Sequence, residues 1–130
     1  MILAIRTDKI EAELYLIEDS VIIDEIKWHA HRQLADTIHI KIQEIIVKNN
    51  LKYGELKGLC VYKGPGSFTG LRIGIAVFNT MSYILKIPIV GTTGEDWLND
   101  IDYSKEGDIS RKNYIVPYYG KDANVTAPKK

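Results

Sequence analysis

The 130-residue sequence predicts an α/β fold on a mixed sheet, on three observations. Residues 11–17 alternate in polarity, residues 34–46 place apolar side chains at helical spacing, and two later apolar runs, 58–62 and 87–91, are each reached through a helix-length segment. Alternation marks a half-buried strand, and a strand reached through a helical crossover lies parallel to its neighbour.

The elements follow in order. Residues 2–5 read as a short buried strand, and Arg6-Thr7-Asp8-Lys9 as a polar turn. In the second strand Ala12, Leu14 and Leu16 point one way, and Glu11, Glu13 and Tyr15 the other. Residues 18–20 turn tightly into a third strand over 21–28, giving an antiparallel meander. A helix from about residue 30 to 50 carries Leu34, Ile38, Ile42, Ile45 and Ile46 on one stripe, with Ile40 and Val47 off it. Residues 58–62 read as a buried strand, 67–85 as a second helix, 87–91 as a further strand and 95–99 as one more helical turn. Beyond residue 100 a polar stretch precedes a short last strand over 114–116 and a loose tail. The order βββαβαβ is that of a ribonuclease H-like, actin-type (ASKHA) half-domain, which hosts many functions and names none. We expect residues 1–100 to form this half-domain, with a contracted segment, 101–130, packing on it.

Composition narrows the class. A hydrophobic content of 45% excludes disorder, and a single cysteine, Cys60, excludes a disulfide scaffold. Seventeen basic residues balance seventeen acidic ones, which argues against a polycationic nucleic-acid clamp. The split is mild: 11 basic against 13 acidic over residues 1–100, and 6 against 4 over 101–130. The apolar start has no basic lead, and the charge-free run 73–85 falls short of the roughly 20 residues of a bilayer span. A soluble, cytoplasmic protein without membrane contact is expected.

The sharpest motif is the loop Gly64, Pro65, Gly66, Ser67, Phe68, Thr69 and Gly70, opening the second helix. A glycine-rich turn entering a helix offers free N–H groups to a phosphate. The spacing here is one residue longer than the dinucleotide fingerprint, however, no P-loop lysine follows, and Pro65 removes a donor. The structural reading has Ser67 capping the helix through its hydroxyl, and Gly66, Gly70 and Gly74 on one face where another backbone comes close. A nucleotide-binding or enzymatic module using this loop stays as an alternative. Between residues 67 and 85 the only charge is Arg72, and apolar residues surround the whole cylinder. Ile73, Val77 and Ile84 cannot face the same sheet as Leu71, Ile75 and Phe78. Such a helix is sheltered either by the C-terminal segment or by a partner.

The run Gly64 to Gly74, GPGSFTGLRIG, resembles the signature of the bacterial tRNA threonylcarbamoyladenosine biosynthesis protein TsaB family. The opening strand, the helix beginning near His31, the strand at 87–91 and Pro117-Tyr118-Tyr119 resemble that family too. The resemblance implies a non-catalytic subunit without cofactor, which pairs with a related catalytic TsaD through the two helices. A TsaE-like ATPase joins them, tRNA is met only indirectly, and the chain alone self-associates as a homodimer. On this reading Leu34, Ile38, Leu71, Arg72, Ile75, Phe78, Asn79 and Ser82 form the partner interface. The family's Asp-Thr-Ser turn after strand one is Arg6-Thr7-Asp8 here, and Arg6 argues against nucleotide chemistry. On this reading the family's second half-domain is expected to be contracted here.

Other constellations carry less. His29 and His31 point to different sides of a helix, and His31 and His39 stand ~12 Å apart along one, so no metal site is expected. Cys60 reads as a small core residue, and Asp19, Asp24 and Glu25 as solvated.

Overall fold

The computed structural model describes residues 1–101 and Ile115, without the side chains of His31 and Asp100. Five strands and two helices follow the expected order: β1 (Ile2–Arg6), β2 (Glu11–Glu18), β3 (Val21–His29), α1 (Leu34–Lys48), β4 (Gly58–Gly64), α2 (Phe68–Leu85) and β5 (Ile89–Thr93). Short 3-10 turns lie at His31–Gln33, Tyr53–Glu55 and Trp97–Asp100. The sheet order is β3-β2-β1-β4-β5. β1 and β3 run antiparallel to β2, and β4 runs parallel to both β1 and β5, as the crossovers require. This is the mixed sheet of the actin-type half-domain.

The register sorts side chains onto two faces. Leu3 lies beside Leu16 and Leu59, and Ile5 beside Leu14 and Val61, all fully buried on the face that carries the helices. Each such side chain contributes about 1.5–3 kcal/mol on burial. The opposite face bears Ala4, Tyr15, Cys60, Tyr62 and Val90, and Trp97 closes over it. The Trp97 ring meets Tyr15 and Tyr62 edge-on, each at 5.9 Å between centroids. The half-buried reading of β2 is therefore corrected. Residues 12–17 are buried on both faces, because the sheet is covered on both sides. Cys60 is a core residue, and burial pushes its thiol up to about 12.

α1 starts at Leu34, later than the periodicity suggested, because residues 31–33 form a 3-10 turn. Its stripe Leu34, Ile38, Ile42, Ile45 and Ile46 is buried, while Ile40 and Val47 are exposed. Asp24 is not simply solvated. It accepts from Asn49 Nδ2 at 2.9 Å and from Lys48 Nζ at 3.3 Å, tying β3 to the end of α1. These bonds, the Asn49 amide first, hold its carboxyl below the usual range.

α2 buries Leu71, Gly74, Ile75, Phe78 and Ser82. It is long and apolar enough by length and composition to cross a membrane, yet this row packs on β1, β4 and β5. It closes at Lys86 in the left-handed region, where Ile87 N–H donates to the Ser82 carbonyl at 3.3 Å. The expected side-chain cap is absent: Ser67 makes no capping bond, and its carbonyl takes the Leu71 N–H at 3.0 Å. The expected last strand and tail lie outside the described residues, apart from Ile115. That residue is buried, and its backbone N–H and C=O pair with the Asn79 amide at 2.8 Å each.

The glycine face is the tightest contact. A Cβ on Gly70 would strike the Thr7 carbonyl, and one on Gly74 the Thr7 side chain. Gly70→Ala is expected to lower the unfolding free energy by about 1–3 kcal/mol in urea titrations. Gly54→Ala, where a Cβ meets nothing within 4 Å, should stay within about 0.5 kcal/mol of the parent.

Candidate functional site

The signature loop is welded to the turn between β1 and β2. Thr7 Oγ1 donates to the Gly70 carbonyl at 2.7 Å, and the Ser67 N–H donates to the Asp8 carbonyl at 3.3 Å. A Cβ on Gly66 would meet the Asp8 side chain. Tyr62 donates its hydroxyl to the Pro65 carbonyl at 2.7 Å, holding the loop from β4. The backbone approach read from the glycine spacing is thus present, and its partner is Thr7-Asp8.

Arg6, at the end of β1, spends its charge inside the molecule. Its Nε donates to Asp8 Oδ1 at 2.7 Å and a terminal nitrogen to Asp8 Oδ2 at 3.2 Å, a bidentate pair. The same guanidinium lies 3.9 Å from the Tyr62 ring centroid. Burial disfavours its charge, but Asp8 outweighs that and raises its affinity for the proton. The Asp8 carboxylate is therefore already neutralised. A cleft of about 330 Å³ opens beside the loop, with Lys9, Arg32, Ser67 and Thr69 on its walls.

A second polar cluster sits on β2. Lys9 Nζ donates to Glu13 Oε2 at 2.6 Å, and Tyr15 donates its hydroxyl to Glu13 Oε1 at 2.7 Å. Burial raises the Glu13 proton affinity, yet these two donors, with Arg6 nearby, overcome it and hold the carboxyl below its ordinary value. Burial first, then the bond to Glu13, pushes the Tyr15 phenol upward.

The residues expected to meet a partner divide sharply. Leu34, Ile38, Leu71, Ile75, Phe78 and Ser82 are at most 6% exposed and belong to the chain's own core. That assignment is corrected: the stripe with the greatest apolar mass packs on the sheet first. Ser82 also donates its hydroxyl to the Ile87 carbonyl at 2.6 Å. Asn79 is half-buried and committed to Ile115. Of the eight, only Arg72 is exposed.

The outward arc of α2 holds Ile73, Val77 and Ile84, which helical spacing had separated from the sheet-facing set, together with Thr80 and Tyr83, which the sequence reading left aside. The row Phe68, Arg72, Ala76, Thr80 and Ile84 recurs every four residues and is exposed throughout. Tyr83 is 84% exposed and Ile84 66%, while Ile73, Val77 and Met81 are half-buried along the next row. A soluble surface helix would carry charge here. A readable signal existed: Gly70 and Gly74 fix the inward phase of the helix, and this arc lies opposite. Arranged so, the molecule has an exposed apolar helix face and no assembled nucleophile or base among the described residues.

The family model described as TsaD: tRNA N6-adenosine threonylcarbamoyltransferase matches residues 23–98. The tRNA threonylcarbamoyladenosine biosynthesis protein TsaB of Buchnera aphidicola subsp. Acyrthosiphon pisum is 31% identical over 91 residues, 68% of this chain and 40% of that protein. The protein of the same name from Bacillus subtilis is 28% identical over 88 residues, 68% and 38% of the two chains. The tRNA N6-adenosine threonylcarbamoyltransferase of Geotalea daltonii is 37% identical over 62 residues, 48% and 18%. YeaZ from Pseudomonas aeruginosa superposes with a TM-score of 0.66 at 20% identity, covering 71% of this chain and 43% of that one, a likeness of fold. The chain spans 18–40% of the length of these curated relatives.

A carboxyl held below its ordinary value stabilises the fold above the unfolded value, near 4.5 for Glu13, and that contribution is lost as pH falls through the folded value. Glu13→Gln should therefore flatten the acid limb of stability, measured by urea titration between about pH 5 and pH 3. A limb as steep as the parent's would remove Glu13 from the account.

Proposed function

The chain belongs to the family of the TsaD model, the tRNA N6-adenosine threonylcarbamoyltransferases, and is TsaB-like; from that premise we propose that it is a non-catalytic subunit of tRNA N6-threonylcarbamoyladenosine formation. Its work is to bind and steady a TsaD-like catalytic chain. The observation that carries this reading is the outward arc of α2, where Phe68, Tyr83 and Ile84 stand in solvent beside Val77 and Met81. Contiguous apolar surface of this kind marks interfaces in soluble proteins. On α1, Ile40 and Val47 are exposed as well.

The non-catalytic role is supported by Arg6 and Asp8. A carboxylate that would hold a cation or orient a phosphate is paired twice by its own chain. The turn also lends its Asp8 carbonyl to the loop, so a loop N–H that could face an anion is already used. On this reading tRNA is met through the partner, a TsaE-like ATPase joins the pair, and the complex works in the cytoplasm. Without the partner the same arc is covered by a second copy.

A second reading rests on the cleft between the β1–β2 turn and the loop, whose walls include Lys9 and Arg32. Isothermal titration of the protein alone with ATP and ADP separates the two: micromolar affinity would favour the cleft.

For the docking face, Tyr83→Glu and Ile84→Glu are expected to weaken binding to the TsaD-like protein of the same genome by tenfold or more, with the circular dichroism of the free chain unchanged. Phe78→Glu should instead unfold it, because that side chain is fully buried. Unaltered binding by both surface variants would displace the interface from α2.

A further inference from the structure

We propose that the partner surface facing α2 presents a carboxylate to Arg72, so that this residue selects an acidic-centred partner over a second copy of the chain. The inference rests on the docking reading above. Arg72 is the single charge among the eighteen residues of α2 and lies on its exposed row, one turn from Phe68 and one turn from Ala76. Its guanidinium carbon lies 5.1 Å from the Phe68 ring centroid, a stacking that limits the fork to few orientations before any partner arrives. Among the described residues Arg72 meets no carboxylate; the ion pairs there join Arg6 to Asp8, Lys9 to Glu13, Lys27 to Glu25, Lys41 to Glu44 and Lys48 to Asp24.

The sequence on either side of it offers none either. No Asp or Glu occurs between Glu55 and Glu95, a stretch that holds Lys57, Lys63, Arg72 and Lys86. A partner covering Phe68, Ala76 and Ile84 strips water from the guanidinium in their midst. An unpaired charge so buried is costly, and the compensation that fits a planar five-donor fork is a bidentate carboxylate. Two α2 helices packed on each other bring like charges into that setting, with no acid on either. A different chain with an Asp or Glu at the centre of an apolar helix face satisfies both demands. Arg72 is thus a specificity determinant whose effect lies in partner choice.

The test measures binding of the same-genome TsaD-like protein by titration calorimetry, and self-association by analytical ultracentrifugation. Arg72→Gln should weaken the heterologous complex at least tenfold and Arg72→Glu further, while Arg72→Lys, which keeps the charge without the fork, loses less. Self-association should be unchanged or strengthened in Arg72→Gln. If Arg72→Gln binds within twofold of the parent while Ile84→Glu abolishes binding, the face is right and the carboxylate is wrong. If Ile84→Glu also binds normally, the docking reading itself has failed.

Discussion

The approach of α2 to the turn after β1 governs the rest of the molecule. Gly66, Gly70 and Gly74 leave no room for a methyl group against Asp8 and Thr7, so the helix can lie at one distance and in one rotation. The Thr7 hydroxyl bond to the Gly70 carbonyl fixes that placement at the helix's first turn. Once the phase is set there, Leu71, Ile75, Phe78 and Ser82 must point at the sheet and Phe68, Arg72, Ala76 and Ile84 must point away. Both the core and the outward arc follow from one contact.

The same turn decides the chemistry. A glycine-rich loop at a helix start can cradle an anion, but here its neighbour carries Arg6 and Asp8 locked to each other. Tyr62 underlies the Arg6 guanidinium and holds Pro65, so the pair, the ring and the loop form one connected unit. The polar groups of this unit are thus satisfied by one another. The Lys9–Glu13–Tyr15 cluster has the same character: a buried carboxylate is retained with its acceptors engaged and no orphaned partner.

Much of the fold was legible because its signals are local. The period change between Tyr15 and Leu34, the helix end near residue 50 and the apolar runs ahead of Gly64 and Gly91 each depend on a few adjacent residues. Tyr15 was misjudged because it packs against Trp97, which lies more than eighty positions away in sequence and reaches the sheet only by tertiary packing. Ser67 offered a plausible hydroxyl cap, but neighbouring backbone bonds to Asp8 and Leu71 set the loop instead. The candidate face was legible as an anomaly, an uncharged helix, but not as an orientation. Helical spacing puts Ile75 and Ile84 on different sides, but only the contact at Gly70 and Gly74 tells which side the sheet claims.

The clasp between Asn79 and Ile115 has a bearing on biogenesis. The amide side chain imitates a strand neighbour, giving and receiving one bond with a backbone thirty-six positions downstream. During synthesis the five strands and both helices emerge before that backbone does. Until it arrives, the middle of α2 keeps an amide facing water, and the flank of β5 near Gly91 lacks the Ile115 side chain that rests on it. A nascent chain halted near residue 100 would thus possess its sheet yet leave this flank of α2 and β5 open.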